Sequence, residues 1–175
     1  MMTYWQVDVQ LYYQISFAFF SLKKLRRNQL KLNSNSTFFF IQNLLTSIAN
    51  ISKALQKSEE YRQYLGVDIL HLPSVMNRRL RNINEHIEKI LFRDENSSEH
   101  VIDMATGSFD IDSRGTPIAV RYFNTKDFKL QFFSEDDNTY LSLSLIDIED
   151  ELKYLAKLKP LDYVFERYKG VDFIK

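Results

Sequence analysis

Apolar residues recur every three to four positions along the first third of the chain, and this spacing predicts two long helices. The first covers about residues 5–30 and is apolar nearly all round, so it must be buried in a core or against a partner. The second covers about 37–57 and carries a single apolar stripe. Residues 33–36 supply the turn and the N-cap between them. The stripes are Val7, Leu11, Ile15, Ala18, Phe19, Leu22 and Leu25, then Ile41, Leu44, Leu45, Ile48, Ile51 and Leu55.

A third long helix is predicted over about residues 74–92. Residues 58–72 hold at most a short polar helix, which ends near Gly66, and then a connector. Pro73 suits the first turn of the helix that follows, because its missing N–H has no intrahelical partner there. The apolar stripe of this third helix is Met76, Leu80, Ile83, Ile87, Ile90 and Leu91.

After residue 93 the pattern changes to the alternation that is typical of strands. Residues 118–122, 128–132 and 140–145 alternate apolar and polar side chains, with a hairpin turn predicted at 134–138. A last helix is predicted over about 146–158, ended by Pro160, and the aromatic tail to Lys175 is expected to dock as a short helix.

The predicted fold class is therefore α+β and mainly α: a helical bundle followed by a small antiparallel sheet and a C-terminal helix. Two regions are expected, a helical one over 1–93 and a sheet-and-helix one over 94–175. A small hairpin sheet is marginal alone, so we expect it to pack on the helices as one compact unit.

Composition narrows the possible chemistry. There is no cysteine, which excludes a disulfide framework, a thiolate zinc site and a cysteine nucleophile. A multi-histidine metal centre would have to use nearly all of the three histidines. No metal and no cofactor are expected. The apolar run at 11–20 is too short to span a bilayer, so the expected location is the cytoplasm, away from membranes.

The net charge is zero, but it is unevenly spread. Residues 1–93 carry 13 Lys/Arg against 6 Asp/Glu, whereas residues 94–175 carry 10 against 17. A basic helical half suits a polyanion such as RNA. Equally, the two halves can simply attract each other.

Arg81, Asn82 and His86 are the candidate catalytic residues. On the predicted third helix, Arg81 and His86 are about 140° apart, both outside the apolar stripe, with Asn82 between them on the outward face. An arginine offers a planar, permanently charged fork to a phosphate, and a histidine moves a proton near neutral pH. Cleavage of RNA by its own 2′-hydroxyl needs both functions and no metal.

The run Arg81-Asn82-x3-His86 resembles the R-polar-x3-H signature of the HEPN superfamily. The resemblance covers roughly residues 5–93, and its recognisable core is six residues long. It implies a metal-independent endoribonuclease of the toxin–antitoxin or phage-defence type, whose site forms at a homodimer interface. Arg81 would bind phosphate, His86 would transfer the proton, and Asn82 would fill the polar position. Asp8 and Asn50 are the candidates for the acidic or polar residue that the family often carries on an earlier helix.

The expected partners are RNA and a second copy of the chain, with an antitoxin or another protein partner also allowed by the resemblance. Arg78 and Arg79 are assigned to generic phosphate contacts with RNA, or to solvation, rather than to catalysis.

Two structural alternatives remain for the same residues. Arg81 and Glu85 are spaced to form an ordinary solvated helix pair, and His86 would then be a surface histidine. In that case the chain is a non-catalytic helical module that binds a protein or nucleotide partner.

Overall fold

The computed structural model describes residues 3–28, 34–77, 102–108, 110–111, 119–134 and 139–168. The described elements, in chain order, are α1 (Tyr4–Asn28), α2 (Ser34–Lys57), α3 (Glu59–Leu65), a single 3-10 turn (Ile69–His71), β1 (Ile102–Gly107), β2 (Ala119–Asn124), β3 (Lys129–Ser134), β4 (Thr139–Ser144), α4 (Leu145–Ala156) and α5 (Lys159–Arg167). The predicted fold class, α+β with a majority of helix, is confirmed. Of the helix predicted over 74–92, residues 78–92 lie outside the described residues, whereas the described residues 74–77 form a turn and no regular helix. Most of the turn predicted at 134–138 also lies outside the described residues.

Helices α1 and α2 form an antiparallel pair that holds most of the core. Two hydrogen bonds show the antiparallel direction. Asn43 donates to the Ser21 hydroxyl at 2.7 Å, and Asn50, about two turns further along α2, donates to Gln14, which lies about two turns earlier on α1, at 3.2 Å. All six stripe residues of α2 are buried, as the periodicity predicts. In α1 the buried positions occur on more than one side, so that helix needs neighbours besides α2.

Helix α3 turns the chain back toward the start of α1. Ser58 is its N-cap, and the Ser58 hydroxyl accepts a hydrogen bond from the backbone N–H of Tyr61 at 3.1 Å. Gly66 ends the helix in the left-handed conformation (φ 68°), where a side chain would be strained. The end near Gly66 was predicted from the sequence.

The described strands form one four-stranded sheet in the order β1-β2-β3-β4. The β2–β3 and β3–β4 pairs are antiparallel, as expected, with Arg121 opposite Phe132 and Leu130 opposite Leu143. The β1 strand was not predicted, and it pairs with β2 in parallel, so the sheet is mixed rather than purely antiparallel. Its sequence, IDMATG, contains few β-branched or aromatic residues, which explains why the alternation is not visible there.

Helices α4 and α5 cover the side of α1 that α2 leaves open. Ser144 caps α4, because its hydroxyl accepts from the backbone N–H of Asp147 at 3.2 Å. The Phe165 ring of α5 packs edge-on against the Tyr12 ring of α1, 4.7 Å between centroids. Pro160 does not simply stop a helix: it lies in the first turn of α5, where a proline is tolerated.

Residues 72–77 form the last described segment before residue 78, and Glu151 of α4 anchors them. The N–H of Met76 donates to the Leu72 carbonyl at 2.8 Å, which is the i to i−4 pattern of a helical turn. The Glu151 carboxylate accepts from the backbone N–H groups of Ser74 and Val75 at 2.9 and 2.8 Å. Through these two hydrogen bonds, Glu151, which is 7% exposed, caps the segment from a helix that is distant in the sequence.

A charged contact joins the basic end of α1 to the acidic α4. Arg26 donates to the Glu149 carboxylate from both Nε (3.1 Å) and Nη2, and its guanidinium lies 4.6 Å from the centre of the Phe128 ring. Lys153 also pairs with Glu149 at 3.0 Å. Burial raises the pKa of Glu149, but the hydrogen bonds from Arg26 and Lys153 outweigh it and hold this pKa below its usual value.

Of the helices described, none contains an apolar run of the length that crossing a bilayer requires.

We expect Glu151→Ala to lower the free energy of unfolding by about 3 kcal/mol, because two backbone N–H groups lose a charged acceptor. Glu151→Gln keeps one acceptor oxygen and should cost clearly less. The matched control is Asp150→Ala, which removes a neighbouring exposed carboxylate that pairs with Lys153; it should cost less than about 1 kcal/mol. Urea unfolding measures all three, and equal losses for Glu151→Ala and Asp150→Ala would exclude the anchoring role.

The Glu149 contact predicts a loss of stability in acid. Because the folded pKa of Glu149 is lowered, its stabilisation is present above the ordinary value of 4.5 and disappears as the pH falls below it. In Glu149→Gln this part of the pH dependence should be absent, with a difference from wild type of about 0.2–1 kcal/mol at pH 7 that shrinks toward pH 3. Urea midpoints at the two pH values measure it, with the exposed Glu60→Gln as control. A difference that stays constant with pH would contradict the prediction.

Candidate functional site

The residues predicted to cleave RNA lie outside the described part of the chain. Arg81, Asn82 and His86, together with Arg78 and Arg79, all belong to residues 78–100. Their placement therefore stays a prediction. The structure describes the residues immediately before this region, the 72–77 segment that Glu151 anchors.

Asp8, one of the two candidates on an earlier helix, is the centre of a buried polar cluster. It lies on α1, is 1% exposed and accepts two hydrogen bonds from α3, from the Tyr61 hydroxyl at 2.5 Å and the Tyr64 hydroxyl at 2.9 Å. The second candidate, Asn50, is an exposed residue of α2 that donates to Gln14. The structure thus separates the two: Asp8 is held inside by α3, and Asn50 is on the surface.

The two phenols are weaker acids than ordinary tyrosines. Burial raises the pKa of Tyr61 well above its ordinary value, and the hydrogen bond to Asp8 raises it further. The pKa of Tyr64 is raised for the same two reasons, in the same order. Both hydroxyls are therefore protonated donors at neutral pH. Their role toward Asp8 is to satisfy a buried carboxylate with two neutral donors.

Next to this cluster, exposed aromatic rings on the first turn of α1 contact rings of α3 and α5. The Tyr4 ring lies 4.8 Å from that of Tyr64, and the Trp5 ring lies 6.0 Å from that of Tyr163 (centroid distances). The Arg167 guanidinium lies 5.4 Å from the centre of the Trp5 ring. We call Tyr4, Trp5, Tyr64 and Tyr163 the aromatic surface.

A second polar cluster closes the turn between β2 and β3. The Asn124 amide donates to Asp110 at 2.8 Å and to Asp127 at 3.1 Å, and Lys129 donates to Asp110 at 2.8 Å. The hydrogen bond from Lys129 is the main cause of the lowered pKa of Asp110. Both carboxylates accept a hydrogen bond from the Asn124 amide and both pair with the Lys129 ammonium, so the cluster ties the turn together. Within the described ranges no group of three or more His, Asp or Glu side chains is arranged to hold a metal ion.

Sequence reasoning missed the aromatic surface. Tyr4 and Trp5 belong to a helix whose many aromatic residues all look alike as core candidates, and Tyr64 and Tyr163 are distant in the sequence. The signal that was available is the spacing of Tyr61 and Tyr64, which places two phenols on one side of a short helix. Only the tertiary structure shows that this side faces Asp8.

Replacing Tyr61 with Phe removes a donor from a buried carboxylate, and we expect it to lower the free energy of unfolding by about 1.5–3 kcal/mol. Tyr64→Phe should cost less, because that side chain is 43% exposed. Since the folded pKa of Tyr61 is raised, its contribution is complete below the ordinary value of 10.0 and falls as the pH rises above it. Tyr61→Phe should therefore also flatten the alkaline loss of stability. Urea unfolding at pH 7 and pH 10.5 tests this, and a larger cost for Tyr64→Phe would count against it.

Comparison with known proteins assigns no family to the chain. No protein-family model, no curated protein and no solved structure matches it. The resemblance to the HEPN superfamily therefore still rests on Arg81, Asn82 and His86. The function has to follow from the residues themselves.

Proposed function

We propose that this chain is a HEPN-type RNA-binding protein and a metal-independent endoribonuclease with a composite site at a homodimer interface. The observation that carries the proposal is the run Arg81-Asn82-x3-His86, which the apolar pattern places outward on a predicted helix. It is supported by the positive balance of residues 1–93, which favours a polyanionic ligand.

The chemistry assigned to these residues is transfer of the phosphoryl group within the RNA. The 2′-oxygen attacks the adjacent phosphorus while its proton is removed, and the bond from phosphorus to the 5′-oxygen breaks as that oxygen gains a proton. His86 is the residue that moves a proton near neutral pH. Arg81 neutralises the charge that builds up on the phosphoryl oxygens, and Asn82 orients them by hydrogen bonding.

A second copy of the chain is part of the proposal for a geometric reason. On one helix Arg81 and His86 are about 140° and about 7.5 Å apart along the axis. One copy therefore presents them to different directions. Two copies related by a two-fold axis bring the arginine of one beside the histidine of the other.

The test is cleavage of RNA by the purified full chain in EDTA. His86→Ala and Arg81→Ala should each lower the cleavage rate by about 100-fold or more, because a proton-transfer group or a transition-state charge is lost. Asn82→Ala should have a smaller effect, and Arg78→Ala and Arg79→Ala should mainly weaken binding in a salt-dependent way. Matched controls are His71→Ala and Arg167→Ala, which remove exposed residues of the same types elsewhere.

A mixture of the Arg81→Ala and His86→Ala proteins should regain part of the activity, because a mixed dimer contains one intact composite site. Cleavage that is undiminished in both single variants would refute the nuclease proposal. Activity in the single variants that is low and not restored by mixing would refute the composite site.

One observation favours a second candidate, the non-catalytic module that binds a protein or nucleotide partner. The aromatic surface exposes four rings around the first turn of α1. Under this alternative, Arg81→Ala and His86→Ala leave partner binding intact, whereas substitutions in the aromatic surface abolish it.

A further inference from the structure

Residues 9–58 contain seven Lys or Arg and no Asp or Glu. This stretch includes most of α1 and all of α2, so neither helix can balance its own cations. The dipole of α1 favours cations in its last turn, which accounts for Arg26 and Arg27. It does not account for Lys23 and Lys24, which lie further from the end of the helix, or for the absence of carboxylates.

Three of the cations lie on the outward side of α1. At about 100° per residue, Lys23, Lys24 and Arg27 fall within an arc of roughly 100°, opposite the buried Leu22 and Leu25. The two lysines are half-exposed and the arginine is exposed. We call these three cations the basic face of α1. They lie within about 6 Å along the helix axis, so neighbouring phosphates of one strand can reach all of them.

The fold uses Arg26 and leaves the basic face without ion pairs. Arg26 lies about 60° outside the arc, where it pairs with Glu149 of α4. Glu149 also pairs with Lys153, so its charge is shared between two cations already. Within the described ranges, no cation of the basic face has an ion-pair partner. Its positive charge is therefore available to an anionic ligand.

The rings beside the basic face favour a nucleic acid over a membrane surface. A helix that binds a bilayer inserts a continuous apolar face by about 5–10 Å. Here Phe17 and Phe20 are half-buried, and Phe20 packs edge-on against Phe40 of α2, with 5.8 Å between centroids. The Lys24 ammonium lies 5.2 Å from the centre of the Phe20 ring and partly covers it. Phe39 is 65% exposed, but one ring does not make a continuous apolar face. A phosphate backbone lies along a surface and needs no insertion.

We propose that the basic face of α1 binds the phosphate backbone of RNA, with Lys23, Lys24 and Arg27 each contacting one phosphate. The inference rests on the proposed function in taking RNA as the ligand, but it uses residues separate from Arg81 and His86. Contacts of this kind carry no sequence information and weaken with salt, because each one releases bound counterions. The basic face therefore supplies affinity for any RNA strand.

The experiment measures the affinity of the full chain for a labelled twelve-nucleotide 2′-O-methyl oligouridine, which cannot be cleaved through a 2′-hydroxyl. The triple variant Lys23→Gln/Lys24→Gln/Arg27→Gln should bind about 100-fold more weakly at about 0.1 M salt. Its plot of the logarithm of affinity against that of salt should be flatter by about 2, because each phosphate contact to a single strand contributes roughly −0.7 to the slope. Fluorescence anisotropy measures both quantities.

The matched control is Lys57→Gln/Lys157→Gln/Lys159→Gln, which removes three exposed cations at the ends of other helices and gives the same net charge. It should bind within about 3-fold of wild type, since exposed charges more than about 10 Å away are screened. A charge-preserving variant, Lys23→Arg/Lys24→Arg/Arg27→Lys, should also keep the affinity. Circular dichroism confirms that each variant is folded.

The inference is overturned if the triple variant and its matched control bind equally, or if the salt slope does not change. It is also overturned if wild type binds a twelve-residue polyglutamate or phosphatidylserine vesicles as tightly as the oligouridine. Its failure is separate from that of the nuclease. Loss of the uncleavable strand in the triple variant, in a chain that cleaves no RNA, would refute the nuclease proposal and leave the basic face standing.

Discussion

The constraint on which the described structure depends is that α1 has to be covered over more of its circumference than one partner helix can reach. Its buried positions, from Leu11 to Leu25, cover an arc of roughly 220° at about 100° per residue, which is wider than one stripe, and the half-exposed rings of Tyr13, Phe17 and Phe20 lie on the remaining side. One partner helix cannot cover such a surface, because an ordinary helix pair buries a single stripe on each member. Accordingly α2 takes one side of α1, α4 and α5 take another, and α3 closes the N-terminal end through Asp8. The sheet joins this arrangement through α4, which follows directly on β4.

Local patterns predicted the elements whose apolar residues follow a regular spacing, including β2 and β3, which are buried on both faces. The single stripe of α2 and the alternation in β2, β3 and β4 are such cases, and so is the stop at Gly66. The same patterns missed β1, whose position depends on pairing with β2 rather than on its own residues. They also assigned Pro160 to the end of a helix, whereas it lies in the first turn of the next one. A proline that follows an apolar stripe suits either position, so the local pattern does not distinguish them.

The same difference between local and long-range information applies to the candidate sites. Arg81, Asn82 and His86 were chosen by spacing on one predicted helix, which is local information. The cluster around Asp8 joins residues that are 53 and 56 positions apart, so no spacing rule points to it. A buried aspartate on an apolar helix is a visible anomaly in the sequence, but its partners depend on tertiary contacts. The role of the uneven charge also depends on tertiary contacts. The ion pair between Arg26 and Glu149 shows that part of the attraction between residues 1–93 and 94–175 acts inside the fold.

The coverage of α1 has a consequence for the order in which the protein can fold. Tyr12 packs on Phe165, so one side of the first helix waits for residues that are synthesised about 150 positions later. At about 5–20 residues per second, the ribosome needs roughly 8–30 s to extend the chain from α1 to α5. During that time an aromatic helix lacks part of its cover, since contacts so distant in sequence form late. The nascent chain therefore has a long period in which a chaperone has an apolar surface to bind, and in which aggregation competes with folding.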